Sequence, residues 1–147
     1  MSYQTQRLQV LLREIHRCCQ DRMLLESQKF NLPQAELRCL MLFDGERYLT
    51  VKGLAKKMDV AKSRITKIVD GLIRKDLVQR IDDPRDGRVR LISLTRKGEE
   101  KTEQIHSFLK DVHRRILLQM EPAEKQTTLS SLEFLRSCME TVKRQLK

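Results

Sequence analysis

Between Leu49 and Gly98 the apolar pattern changes from helical spacing to β-prone runs, and few folds accommodate that order. Ile65, Ile68, Val69, Leu72 and Ile73 fall at i, i+3, i+4, i+7 and i+8, a single apolar stripe along one helix. Just upstream, Thr50 is placed to cap a shorter helix carrying Val51, Leu54, Ala55 and Met58, with a break around Asp59-Val60. Downstream, residues 77–81 and 89–94 are rich in strand-forming types, and Asp86-Gly87 between them predicts a tight turn joining antiparallel strands. The expected outline is two short helices followed by a charged β-hairpin.

What the stripe leaves outside is basic and polar. Lys62, Ser63, Arg64, Thr66 and Lys67 fall on the N-terminal half of the second helix, away from the core. These side chains hydrogen-bond phosphates and base edges, and the second helix of a helix-turn-helix presents its N-terminal residues to the major groove of DNA. The plain alternative is an ordinary solvated helix face. The hairpin loop, DDPRDGR, adds Arg85 and Arg88 at its tip, and Arg85, Asp86, Arg88 and Arg90 are assigned to a second contact. A guanidinium on a projecting hairpin can enter the minor groove, whereas a charged edge ribbon that discourages sheet aggregation would need only some of these residues. Of Asp82, Asp83 and Asp86, at least one is expected to orient an arginine.

The distribution of charge favours a polyanionic partner. Fifteen Lys/Arg face six Asp/Glu between Arg47 and Lys97, while residues 1–46 carry six against six and residues 98–147 nine against eight. Nearly all of the net +10 therefore sits in one third of the chain, as a local positive field rather than a general solubility charge. Double-stranded DNA is the expected partner. A membrane surface would need a broad apolar face exposed beside the basic one, and here the apolar residues are required for a core. RNA is the rival, because the same cations serve any phosphate chain, but residues 49–98 contain no aromatic side chain on which single-stranded bases could stack. The same two helices and hairpin used only for protein contacts would fit the segregated charge less well. With five scattered glycines and no nucleophile, base or metal constellation, the chain is not expected to be an enzyme, and no cofactor is implied.

The flanks read as helices. Leu8, Leu11, Leu12, Ile15, Cys18, Cys19 and Met23 recur at helical intervals; Pro33 then opens a shorter helix with Leu37, Cys39, Leu40 and Met41, ending before Asp44-Gly45. Thr95 begins a long helix with Ile105, Phe108, Leu109, Val112, Ile116 and Met120 on one face. Pro122 opens the last, with Leu132, Leu135, Met139, Val142 and Leu146. The rest of the chain is too short to cover that final stripe, which points to a partner helix in preference to packing on the first helix alone. No apolar run is long enough to span a bilayer, the N-terminus lacks the pattern of an export signal, and a cytoplasmic location is expected. Cys18, Cys19, Cys39 and Cys138 form no CxxC pair and are expected to be free thiols. His106 and His113 are seven apart on one helix and His16 is remote, so no metal site is expected.

The run from Leu54 through Gly98, with its helix-turn-helix, DPRDGR and LTRKG, resembles the multiple-antibiotic-resistance regulator (MarR) family of bacterial transcription factors, and the helix order resembles it over essentially the whole chain. The resemblance implies a mainly α fold: a winged helix-turn-helix at 32–98 between dimerisation helices at 1–31 and 99–147. It also implies a homodimer reading a pseudo-palindromic operator, a repressor's role, and release by a small-molecule effector. Met, Leu and Phe near Phe30, Leu40 and Phe43 serve either an effector pocket or plain core. The family's Asp-Pro-x-Asp-Arg-Arg wing pattern falls on Asp83, Pro84, Arg85, Asp86, Gly87 and Arg88, so Gly87 replaces its first arginine and Arg88 inherits the groove-inserting role. Ala61 stands where relatives carry a capping Ser, and Asp76 where many carry Gly. Some members sense peroxide with a thiol in the first helix. Cys18 and Cys19 lie in that region beside His16, Arg17 and Arg22, although the accompanying tyrosines are not evident and unreactive buried thiols are the favoured reading.

Overall fold

The structure, a computed structural model, describes residues 1–147. In chain order it contains α1 (Tyr3–Phe30), α2 (Gln34–Met41), β1 (Tyr48–Thr50), α3 (Val51–Met58), α4 (Lys62–Arg74), β2 (Val78–Asp82), β3 (Arg90–Leu94), α5 (Arg96–Leu118) and α6 (Pro122–Gln145). The fold is mainly α with a small antiparallel wing, a winged helix-turn-helix flanked by long helices. Two compact units are formed, residues 1–105 and residues 106–147.

The core of the first unit is the stripe read from the sequence. Ile65, Val69 and Leu72 of α4 are fully buried together with Leu40, Leu54, Leu77, Val78, Ile92 and Ile105. Phe30, Leu40 and Phe43 are all buried. Thr50 caps α3 as expected, its Oγ1 accepting the Gly53 N–H at 2.9 Å. The same residue ends β1, a strand that sequence reasoning missed. Three residues are too few to show a period, and β1 exists only because β3 accepts it, with Tyr48 opposite Ser93 and Thr50 opposite Leu91. β3 is thus the centre of a sheet ordered β1-β3-β2.

Both unusual ends of α4 appear where they were expected. Ala61 offers no side-chain acceptor, which leaves the first N–H groups of the helix uncapped at a cost of about 1 kcal/mol. Asp76 adopts the left-handed conformation, φ 60°, which turns the chain so that the Leu77 N–H donates back to the Leu72 carbonyl at 3.0 Å. This conformation costs an aspartate about 1 kcal/mol more than glycine, and the Thr95 hydroxyl holds it by donating to the Asp76 carbonyl at 2.6 Å.

The helix α4 is seated against α2 through Gly71. A methyl group there would come within 2.8 Å of Glu36 Oε2, and the same carboxylate binds Lys75 Nζ at 2.5 Å through Oε1. One turn further along α2, Cys39 is fully buried, and burial, reinforced by the negative Glu36, pushes its thiol up to about 12. Cys39 is therefore expected to resist iodoacetamide at about pH 8 in the folded protein and to react once denaturant is added. Alkylation of native Cys39, read by peptide mass spectrometry, would contradict this placement.

Only the C-terminal end of α1 enters the core, through Phe30 and Glu26. The buried Glu26 carboxylate is met by Arg22 Nε at 3.2 Å, one turn earlier on the same helix. Further toward the N-terminus Leu8, Leu11 and Ile15 are exposed. In the second unit Pro122 occupies the first turn of α6, and the Glu121 N–H donates to Glu124 Oε1 at 2.8 Å. No residue of α6 is buried.

Candidate nucleic-acid interface

Burial of the apolar stripe fixes which way α4 faces, and Lys62, Ser63, Arg64 and Lys67 are exposed as a result. Thr66 is half-buried, and its hydroxyl donates to the Lys62 carbonyl at 2.9 Å, so the side chain is tied to its own helix. All five predicted residues lie on the first two turns of α4, beside the uncapped N-terminus, where backbone N–H groups and the helix dipole favour an anion.

The wing forms as a hairpin with a long tip, as the DDPRDGR loop predicts, but the turn at Asp86-Gly87 is not of the left-handed kind. Strand pairing ends at Asp82 opposite Arg90, and the tip spans residues 83–89. The Val89 N–H donates to the Asp86 carbonyl at 3.0 Å and the Asp83 N–H to the Val89 carbonyl at 3.1 Å, and Gly45 is the one glycine with positive φ. Gly87 therefore does not supply the left-handed conformation that a two-residue turn would demand. The aspartates replace that requirement: Asp83 Oδ1 accepts the Arg85 N–H at 2.8 Å and Asp86 Oδ1 the Arg88 N–H at 3.0 Å. Asp86 also meets Arg88 Nε, but at 4.0 Å with the arginine 96% exposed, so these carboxylates shape the backbone more than they hold a guanidinium. Arg85, Asp86, Arg88 and Arg90 are all exposed.

Between α4 and the wing runs an open groove of about 470 Å³, lined by Thr50, Val51, Lys52, Lys62, Thr66, Arg80, Arg88, Val89 and Arg90. It gathers Lys62 and Thr66 from the helix with Arg88 and Arg90 from the hairpin, and it contains five cationic side chains and no carboxylate. Ser63, Arg64, Lys67, Arg85 and Asp86 lie outside it. Lys52 and Arg80 are residues that sequence reasoning missed: both fall within the basic third of the chain, but no spacing links them to α4. Cys18 is exposed and Cys19 half-buried; only Cys39 lies in the core, so the expectation of buried thiols fails for Cys18.

Comparison with known proteins agrees with this geometry. The model of the MarR family matches residues 32–89, from the start of α2 to the wing tip. The HTH-type transcriptional repressor MdtR of Bacillus subtilis (strain 168) is 30% identical over 110 residues, covering 75% of this chain and 71% of that protein. Among solved structures, YusO from Bacillus subtilis superimposes with a TM-score of 0.76 at 26% identity over 93% of this chain and 99% of its own. Streptococcus pneumoniae FabT, solved in complex with DNA, gives 0.81 at 20% identity over 94% and 99%. With that relative, that family match and a wing beside an exposed basic helix, the chain belongs to the MarR family of winged helix-turn-helix transcription regulators.

Proposed function

We propose that the chain is a sequence-specific double-stranded DNA-binding repressor, working in the cytoplasm as a homodimer on a pseudo-palindromic operator and released by a small ligand. The groove carries this reading: cations from α3, α4 and the wing converge on one open cleft without an acid among them. Arg64, exposed outside the groove on the first turns of α4, is assigned to base edges, and Lys62 and Lys67 to phosphates. Arg88 at the wing tip is assigned to the minor groove.

Dimerisation is supported by what the single chain leaves uncovered. Leu129, Leu132, Phe134, Met139 and Val142 are exposed on α6 and Leu146 just beyond its end, as are Leu8, Leu11 and Ile15 on α1. A two-fold pair of recognition helices would read half-sites about one turn apart, roughly 10 bp. The repressor's role is supported by the name given to MdtR, and ligand release by the family alone.

Selection of genomic duplex fragments by the purified protein tests the reading, and an inverted repeat is the expected product. On that operator, Arg64→Ala is expected to remove sequence preference, costing about 1–3 kcal/mol per contact. Lys62→Ala is expected to weaken all duplexes alike and to lower the salt slope by about one per chain. Retained affinity and preference in Arg64→Ala would mean that the reading face is misassigned. Competition with RNA of matched length separates a DNA reader from an RNA reader.

The exposure of Cys18 supports a second reading, a regulator switched by thiol oxidation. Mild peroxide followed by mass spectrometry tests it. Absence of a sulfenate or disulfide at Cys18 and Cys19 would end it.

A further inference from the structure

Along α4, Lys62, Thr66 and Asp70 are spaced by four, so they share one side of the helix, and the last of them is an acid. A carboxylate close to a phosphate-binding groove weakens the attraction that the surrounding cations create. Asp70 is not left to do so. Arg80 Nη2, on the first strand of the wing, donates to Asp70 Oδ1 at 2.6 Å, and the two side chains are 37% and 42% exposed. Arg80 itself lines the groove.

As a stabilising device such a half-exposed pair contributes little. Its geometric consequence is larger. A guanidinium carries five N–H donors in a rigid fork, and the bond to Asp70 comes from one end of that fork. Donors that the bond to Asp70 does not use remain available on a side chain that lines the groove. A long side chain that would otherwise sample many rotamers is thereby ordered before DNA arrives, which removes part of the entropic cost of binding.

Resting on the DNA-binding reading and extending it, we propose that Arg80 takes one backbone phosphate of the duplex between the helix contact and the wing contact, and that Asp70 is the positioning residue that presents it. The acid on the recognition helix thus serves affinity through its partner although its own charge opposes it.

The sign of the Asp70→Asn effect tests this, measured by fluorescence anisotropy on a random-sequence duplex of about thirty base pairs across a salt series. Arg80→Gln is expected to lower the salt slope by about 0.9 per chain, one phosphate's share, and Arg80→Lys to restore much of it. Asp70→Asn is expected to weaken binding in the parent, where it frees Arg80, and to strengthen it in the Arg80→Gln background, where it only removes a negative charge. Equal strengthening in both backgrounds would overturn the positioning role, and an unchanged slope in Arg80→Gln with an unchanged melting curve would overturn the phosphate contact. A parent protein that binds no duplex at low salt would instead refute the DNA-binding reading itself.

Discussion

Gly98→Ala is expected to destabilise the first unit by about 3 kcal/mol or more and to lower its melting temperature by roughly 10 °C. Gly98 is buried in the first turn of α5, its N–H donating to Thr95 Oγ1 at 3.0 Å and its carbonyl accepting the Thr102 hydroxyl at 2.8 Å. A methyl group added there would overlap the Leu77 carbonyl oxygen and come within 2.9 Å of the carbonyl carbon. The obstacle is backbone, which cannot swing aside as a side chain can, and the same carbonyl already accepts the Thr95 N–H at 3.1 Å. Either α5 or the entry to β2 must move, disturbing the wing's attachment to the core. Gly87→Ala is the control: nothing lies within 4 Å of the added group, so its effect should stay within about 0.5 kcal/mol. Equal melting temperatures for the two variants would show that α5 does not seat against Leu77.

Placing Glu at both Leu132 and Met139 is expected to convert the proposed dimer to monomers and to reduce operator affinity by about 10²–10⁴-fold, the advantage of binding two linked half-sites together. Both side chains are 49% exposed in the single chain, and with Leu135 they border a shallow apolar groove along α6. Charges there cost the isolated chain little, because no residue of α6 is buried by it. Across a two-fold interface the same glutamates would be desolvated and would face one another. Sedimentation velocity reads the mass and anisotropy the affinity. A variant that stays dimeric would move the interface elsewhere, and a parent that is monomeric would remove the two-fold reading altogether.

The helix α4 and its exposed side were legible because their signal is local. The five apolar positions of the α4 stripe repeat every three or four residues; four are buried and Ile73 is half-buried, which leaves Lys62, Ser63, Arg64 and Lys67 outside with little freedom to point elsewhere. The Thr50 cap was equally readable, since a cap is decided by residues within one turn of each other, whereas the turn at Asp76 was signalled only by the resemblance, which places glycine there in many relatives. The wing tip was half legible. Its position and length were right, but Asp86-Gly87 suggested a turn that depends on glycine, whereas Asp83 and Asp86 satisfy loop N–H groups with their own carboxylates and need no positive φ at Gly87.

The sequence by itself determined the order of helices and hairpin, the exposed side of α4 and the concentration of positive charge in one third of the chain, because spacing and composition are properties of neighbours along the chain. Tertiary structure alone decided that β1 exists, that Lys52 and Arg80 join Lys62 in one groove, that Asp70 holds Arg80, and that the glycine of LTRKG is needed for its lack of a side chain against Leu77. Each of these depends on two segments distant in sequence approaching to a particular separation, and no periodicity within either segment encodes how closely the other will lie.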